Sequence, residues 1–338
     1  MKKLLLASAV AALSITAAQA APTVYGKAFL TLDANDGNEY SSSKNSRSQL
    51  NSIGSRIGLK GSEALTANTD LVYQLEYGVK VDAEDGESNF KARDTYLGLA
   101  HKQYGTAVAG RLSAIDDYIN YVTVASGGVV GGDDTLAHYT GPRANNAIAY
   151  FSPSFQGAQV MAMYALDEVK GEDAVKNDSL GRDAWGLGVK YEPTTLPVKA
   201  GITYIQAGAN ANNAVVLDHM LRVSGAYAIN PAITVAGQYQ LTEGRNEGKG
   251  EKHKENTYTL SGSYKVGQTP WTAYSQLDYV TNADFIKDDK EERIVIGGKY
   301  AFNQNTTGHL YSGYLKEKSK GDPDANSYGI GAGLEYKF

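Results

Sequence analysis

Two acidic pairs, Asp116-Asp117 and Asp133-Asp134, lie in one 31-residue stretch, SAIDDYINYVTVASGGVVGGDDTLAHYTGPR (113–143), with Arg111 just before it and Arg143 at its end. Paired carboxylates can trade protons, hold a metal ion, or set a local electric field. The first two uses find little support elsewhere in the chain. His101, His138, His219, His253 and His309 are scattered, and no Ser–His–Asp/Glu set forms by any motif. There is no cysteine, so neither a disulfide framework nor a thiolate metal site is available. GIGAG (329–333) is not followed by the helix that a dinucleotide fingerprint needs. DPDANS, from Asp322, has Ser327 and Gly333 where a calcium loop requires glycine and glutamate. No enzyme activity, cofactor or resident metal is expected. The charges are left to act as a field.

The elements that position them are read from alternation. One parity of TDLVYQLEYGVKV holds Leu71, Tyr73, Leu75, Tyr77, Val79 and Val81, and the other holds Asp70, Val72, Gln74, Glu76, Gly78 and Lys80. The last strand separates Tyr328, Ile330, Ala332, Leu334, Tyr336 and Phe338 from Gly329, Gly331, Gly333, Glu335 and Lys337. Such a period of 2 marks half-buried strands. Sixteen segments show it, starting near 23, 52, 69, 91, 106, 145, 159, 184, 197, 218, 233, 255, 271, 292, 307 and 327. Short connections such as INPA and EPTTLP alternate with long charged ones, which suits sixteen antiparallel strands with both termini at the short-turn end.

A soluble two-sheet sandwich would also alternate, but its shared core would favour Phe, Ile and Leu. This chain has 24 Tyr and 37 Gly against 7 Phe. Tyrosine is frequent towards strand ends, as in an aromatic girdle around a lipid-facing band. Residues 1–20 read as a secretory signal: Lys2 and Lys3, an apolar run, then Ala18-Gln19-Ala20. That run is shorter than the roughly 20 residues of a spanning helix. The expected organisation is a cleaved signal (1–20) and one barrel domain (21–338). The fold class is all-β, a 16-stranded antiparallel transmembrane β-barrel with its long third extracellular loop, 113–143, folded into the lumen. The net charge of −5 argues against a nucleic-acid partner.

In such a barrel a lysine or arginine facing lipid at mid-membrane costs about 2–4 kcal/mol, so cations opposite in parity to the apolar residues face the lumen. Lys27, Arg56, Lys60, Arg111, Lys190, Lys199, Arg222, Lys265, Lys299 and Lys337 meet that condition. The loop's four aspartates would then oppose basic wall residues such as Arg56 and Arg111 and filter solutes by size and charge. Arg93 breaks the pattern, because it shares parity with Leu97 and Leu99. It needs either a β-bulge or a place above the hydrocarbon.

The motifs IGSRIGLKGSEAL (53–65), RDTYLGL (93–99), GRLSA (110–114) and RANNAIAYFSPSFQG (143–157), with the terminal Phe338, resemble those of Gram-negative general porins of the neisserial and β-proteobacterial type. The resemblance implies a homotrimer in the outer membrane, in contact with lipid and lipopolysaccharide, passing small hydrophilic solutes and ions by passive diffusion. It implies a pore constriction with Arg56, Arg93, Arg111 and Arg143 on the basic side, to which lumen-facing parity adds Lys60 and Lys27, and favours the bulge for Arg93. Asp116, Asp117, Asp133 and Asp134 match the acidic side by location. Tyr336 and Phe338 look like the signal for the barrel-assembly machinery. Ala149 and Phe151 stand where relatives often carry a basic and an acidic residue. A substrate-specific channel, and a barrel adhesin or enzyme, are the alternatives.

Overall fold

The computed structural model describes residues 21–38, 47–82, 88–166, 183–207, 215–246, 251–321 and 323–338. The expected signal, 1–20, lies outside the described residues. Strands β1 (Thr23–Asn38), β2 (Arg47–Ser52), β3 (Arg56–Ala64), β4 (Thr69–Val79), β5 (Phe90–His101) and β6 (Gly105–Leu112) precede the long connection. After it come β7 (Ala144–Phe151), β8 (Ala158–Ala165), β9 (Trp185–Tyr191), β10 (Val198–Gln206), β11 (Val215–Ala228) and β12 (Ile233–Asn246). The barrel is completed by β13 (Lys252–Lys265), β14 (Trp271–Thr281), β15 (Lys290–Ala301), β16 (Thr306–Lys318) and β17 (Ala325–Lys337). No helix among the described residues is long and apolar enough to cross a membrane.

These seventeen segments make sixteen staves, because β2 and β3 are two halves of one. Both pair with β1, β2 along Leu30–Asn35 and β3 along Thr23–Lys27. The break falls at 53–55, where Gly54 takes φ +57. Ser55 Oγ fills the gap in the ladder: it accepts the Phe29 N–H at 2.9 Å and lies 3.2 Å from the Phe29 carbonyl. Every neighbouring pair is antiparallel, and β1 closes the ring on β17, with Ala28 opposite Tyr336 and Asp33 opposite Gly331. Expected strand starts fall within five residues of the observed ones, the second deviating most because β2 begins at Arg47.

The burial pattern identifies the two solvents. Ile330, Leu32 and Leu260 are 64, 62 and 58 % exposed, while Arg222 and Arg293 are 1 and 3 % exposed. This inverts the arrangement of a water-soluble protein. On β14 the outward set is Trp271, Ala273, Ser275, Leu277 and Tyr279, and the inward set includes Tyr274, Gln276 and Asp278. Trp271 meets Tyr300 edge to face, as Tyr300 meets Phe302; eight residues up the strand, Tyr239, Tyr258 and Tyr279 form a second row. Eight residues span about 27 Å along a strand, or about 20 Å of membrane once tilted by roughly 40°. The two rows bracket a lipid-facing band. Ile296 lies within it, so Ile296→Arg should lower stability in lipid vesicles by about 2–4 kcal/mol in equilibrium denaturant unfolding.

Candidate functional site

The 113–143 segment leaves β6 and returns to β7, and its fold is dictated by what it packs against. A 3-10 turn, Ile115–Ile119, drives Ile115 and Ile119 into an apolar cluster with Met163, Ala165, Ile205 and Met220. Gly186 and Gly201 leave the room, since a Cβ there would come within 2.8 Å of Ile115 and 2.3 Å of Ile119. Further along, Gly127 lies against the Tyr311 ring, where any side chain would collide. The apolar residues interleaved among the loop's charges are the ones that find this packing.

Polar side chains on β11–β15 then hold the segment's backbone. Arg222 forms an ion pair with Asp116 (3.1 Å) and donates to the Asp116 carbonyl and to Gln240. Gln240 donates to the Tyr139 carbonyl at 2.6 Å. Gln276 accepts from the Val124 N–H and donates to the Asp134 carbonyl. Arg293, paired with Asp278 at 2.8 Å, donates to the carbonyls of Val130, Gly131 and Asp134. One of these, Val130, has φ 47, a strained conformation for a β-branched residue. His138 bridges Glu255 (2.9 Å) and Glu291 (3.1 Å) through its two ring nitrogens.

The four loop aspartates divide. Asp116 is fully buried, its carboxylate held by Arg222 and the Gly141 N–H. The expected opposition of Asp116 to Arg56 and Arg111 is therefore corrected: its partner is Arg222, on β11. Asp117, Asp133 and Asp134 are exposed. Surrounding protein still crowds Asp117, and that desolvation, followed by the neighbouring Asp116, raises its carboxyl to about 7. Desolvation likewise raises Asp133 and Asp134 above the usual carboxylate range. For His138 desolvation opposes the charge, but the bonds to Glu255 and Glu291 outweigh it and lift the imidazole to about 10.

The basic residues gather on β1, β3, β5, β6 and the approach to β7. One residue of β4, Glu76, faces two of β5 between the pairs Leu75–Thr95 and Tyr77–Ala92, a bulge at Arg93-Asp94. The bulge turns Arg93 onto Glu76 at 2.6 Å. Arg56 approaches the other oxygen of Glu76 at 3.5 Å, and Tyr25 donates to it. Arg143 pairs with Asp94 at 2.7 Å, and Arg111 bonds the Ala92 carbonyl and Asn145. Lys27 reaches Glu335 at 3.8 Å, and Lys60 lies over the Tyr25 ring. Glu76 and Asp94, which interleave these cations, were not singled out in the sequence. The inward parity of Glu76 is a readable signal, whereas Asp94 depends on the bulge. Tyr336 and Phe338 stack outward, and Phe338 exchanges backbone hydrogen bonds with Gly26.

A closed barrel with an apolar exterior and charges within defines a membrane channel of the β-barrel class. Residues 6–321 match the sequence profile of the Gram-negative porins, and the chain belongs to that family. It is similar to the major outer membrane protein P.IB of Neisseria sicca, 27 % identical over 371 residues and spanning all of both chains. Its fold matches the anion-selective porin from Comamonas acidovorans (TM-score 0.73, 22 % identity, 94 % of this chain and 99 % of that one). OmpF from Salmonella typhi, solved with daunomycin, gives a TM-score of 0.69 at 18 % identity, covering 94 and 97 %. The protein is thus an outer-membrane channel for passive diffusion, without catalytic chemistry.

Two outcomes test the anchoring. Arg222→Met strands the buried Asp116 charge, which should cost about 3–5 kcal/mol of local stability and raise open-channel noise in single-channel recordings. Asp116→Asn in the same chain should restore part of the quiet state. His138, whose value is raised on folding, contributes stability in full below its unfolded value near 6.5 and loses it as pH climbs through about 10. Gating noise should therefore grow above pH ~9 in the parent channel and be pH-insensitive there in His138→Gln.

Proposed function

We propose that residues 113–143 cross the lumen and form the narrowest part of the pore. The observation that carries this is the set of bonds from Arg222, Gln240, Gln276 and Arg293 to the backbone of a segment that starts and ends on β6 and β7. Arg56, Arg93, Arg111, Arg143, Lys27 and Lys60 form the basic rim, tempered by Glu76 and Asp94. Asp117, Asp133 and Asp134 form the acidic rim, while Asp116 serves as an anchor. Opposed charges across a narrow opening orient and select small hydrophilic solutes and ions. Six cations face carboxyls whose ionisation is weakened by crowding, so the balance favours anions, as in the anion-selective Comamonas relative.

The working unit in this reading is a homotrimer; one of the structural neighbours, OmpT of Vibrio cholerae, is a trimer form. The exposed apolar band contacts lipid and lipopolysaccharide, the signal is removed after Ala20, and the Tyr336–Phe338 end is recognised by the barrel-assembly machinery.

Reversal potentials under a salt gradient test the rim assignment. Lowering the pH from 8 to 5 protonates Asp117 and should shift selectivity further towards anions. Asp117→Asn should start at the shifted value and respond less to pH. Indistinguishable potentials in parent and variant would remove Asp117 from the filter.

A further inference from the structure

The inner wall at the short-turn end carries a second charged group that shares only Lys27 with the constriction. Lys27 lies opposite Lys337 across the β1–β17 ladder, and Lys299 lies opposite His309 across β15–β16. His309 is in turn opposite Gly333, on the same face of β17 as Glu335 and Lys337. Register alone thus places three ammonium groups, one carboxylate and one imidazole on a single patch of wall.

Charge on this patch is unbalanced. Glu335 takes Lys337 at 2.7 Å and Lys27 at 3.8 Å. Lys299 has no carboxylate within ion-pair distance among the described residues; its ammonium lies 5.4 Å from the Tyr274 ring centre. His309 is the independent sign that something is missing. It is only 4 % exposed, its ring packs on Phe29 at 4.8 Å, and neither of its nitrogens has a hydrogen-bond partner. An imidazole in any protonation state has at least one N–H to donate, and buried donors are nearly always satisfied.

We propose that this patch is a binding site for a small oxyanion of the phosphate class, held by Lys27, Lys299 and Lys337 with His309 donating to one of its oxygens. The inference rests on the reading of the chain as a diffusion channel, because the ligand is a solute in transit. Several oxygens on one multiply charged centre match several donors set on four adjacent strands, which chloride cannot do. Charge-assisted bonds of this kind are the stronger class. A solute entering from the short-turn side would meet this patch before the constriction, which raises its local concentration there.

The test is planar-bilayer recording in potassium chloride with millimolar inorganic phosphate added on the short-turn side. Phosphate should produce transient, concentration-dependent interruptions of the current. Lys299→Gln and His309→Gln should each raise the half-blocking phosphate concentration by roughly tenfold, the loss of one charge-assisted bond. Lys318→Gln, on the outer surface at the long-loop end, should leave the block unchanged. A parent channel that conducts potassium chloride without phosphate interruptions, or patch variants that are blocked at the same phosphate concentration as the parent, overturns the site. A parent protein with no potassium chloride conductance at all would overturn the channel reading itself.

Discussion

Hydrocarbon offers no partner to a backbone N–H or C=O, and each one left unpaired there costs several kcal/mol. The pairing of β1 with β17 answers that constraint, because a ring of antiparallel ladders has no open edge. Other features of the barrel follow from it. Once the ring is closed, the period of 2 sends alternate residues to lipid and to water, so Ile294 and Ile296 face out where Arg293 and Val295 face in. Where the stave of β2 and β3 breaks, Ser55 takes over the hydrogen bonding of Phe29 and the ring survives the interruption.

A lumen wide enough for water would, by itself, discriminate little. In the proposed reading the segment between β6 and β7 changes that; it is held by two different kinds of force. At its start Ile115 and Ile119 bury apolar surface against small residues, which is non-directional. Farther on, Arg222 and Arg293 each combine a buried carboxylate partner with donation to loop carbonyls, which fixes orientation. Buried ion pairs are poor sources of net stability against a well-packed apolar alternative. Their value here is in specifying one path for a chain with four glycines at its centre.

Strand number, strand starts and the shared end for both termini were legible in the sequence, because period 2 is a local property. Arg93 was legible as a conflict: its parity with Leu97 and Leu99 demanded a bulge or an interfacial position, and the register shift opposite Glu76 supplies the bulge. The anchors were not legible. Arg293, Gln276 and Glu255 read simply as inward-facing polar residues, since their partners lie more than a hundred positions away. Asp116 and Asp117 are adjacent and alike in the sequence, which offers nothing to separate their roles. A 3-10 turn separates their directions, burying one against Arg222 and leaving the other in water.

Counting staves around the ring, β6 and β7 sit half a circumference from β14 and β15, where Arg293, Asp278 and Gln276 lie. The proposed crossing is therefore a tie rod along a diameter. A cylindrical shell flattens most easily into an ellipse, and a member fixed to opposite walls resists that deformation directly. Lateral pressure from the bilayer would then be carried partly by Gln276 and Arg293, and the cross-section would keep its shape under loads that would squeeze an unbraced tube.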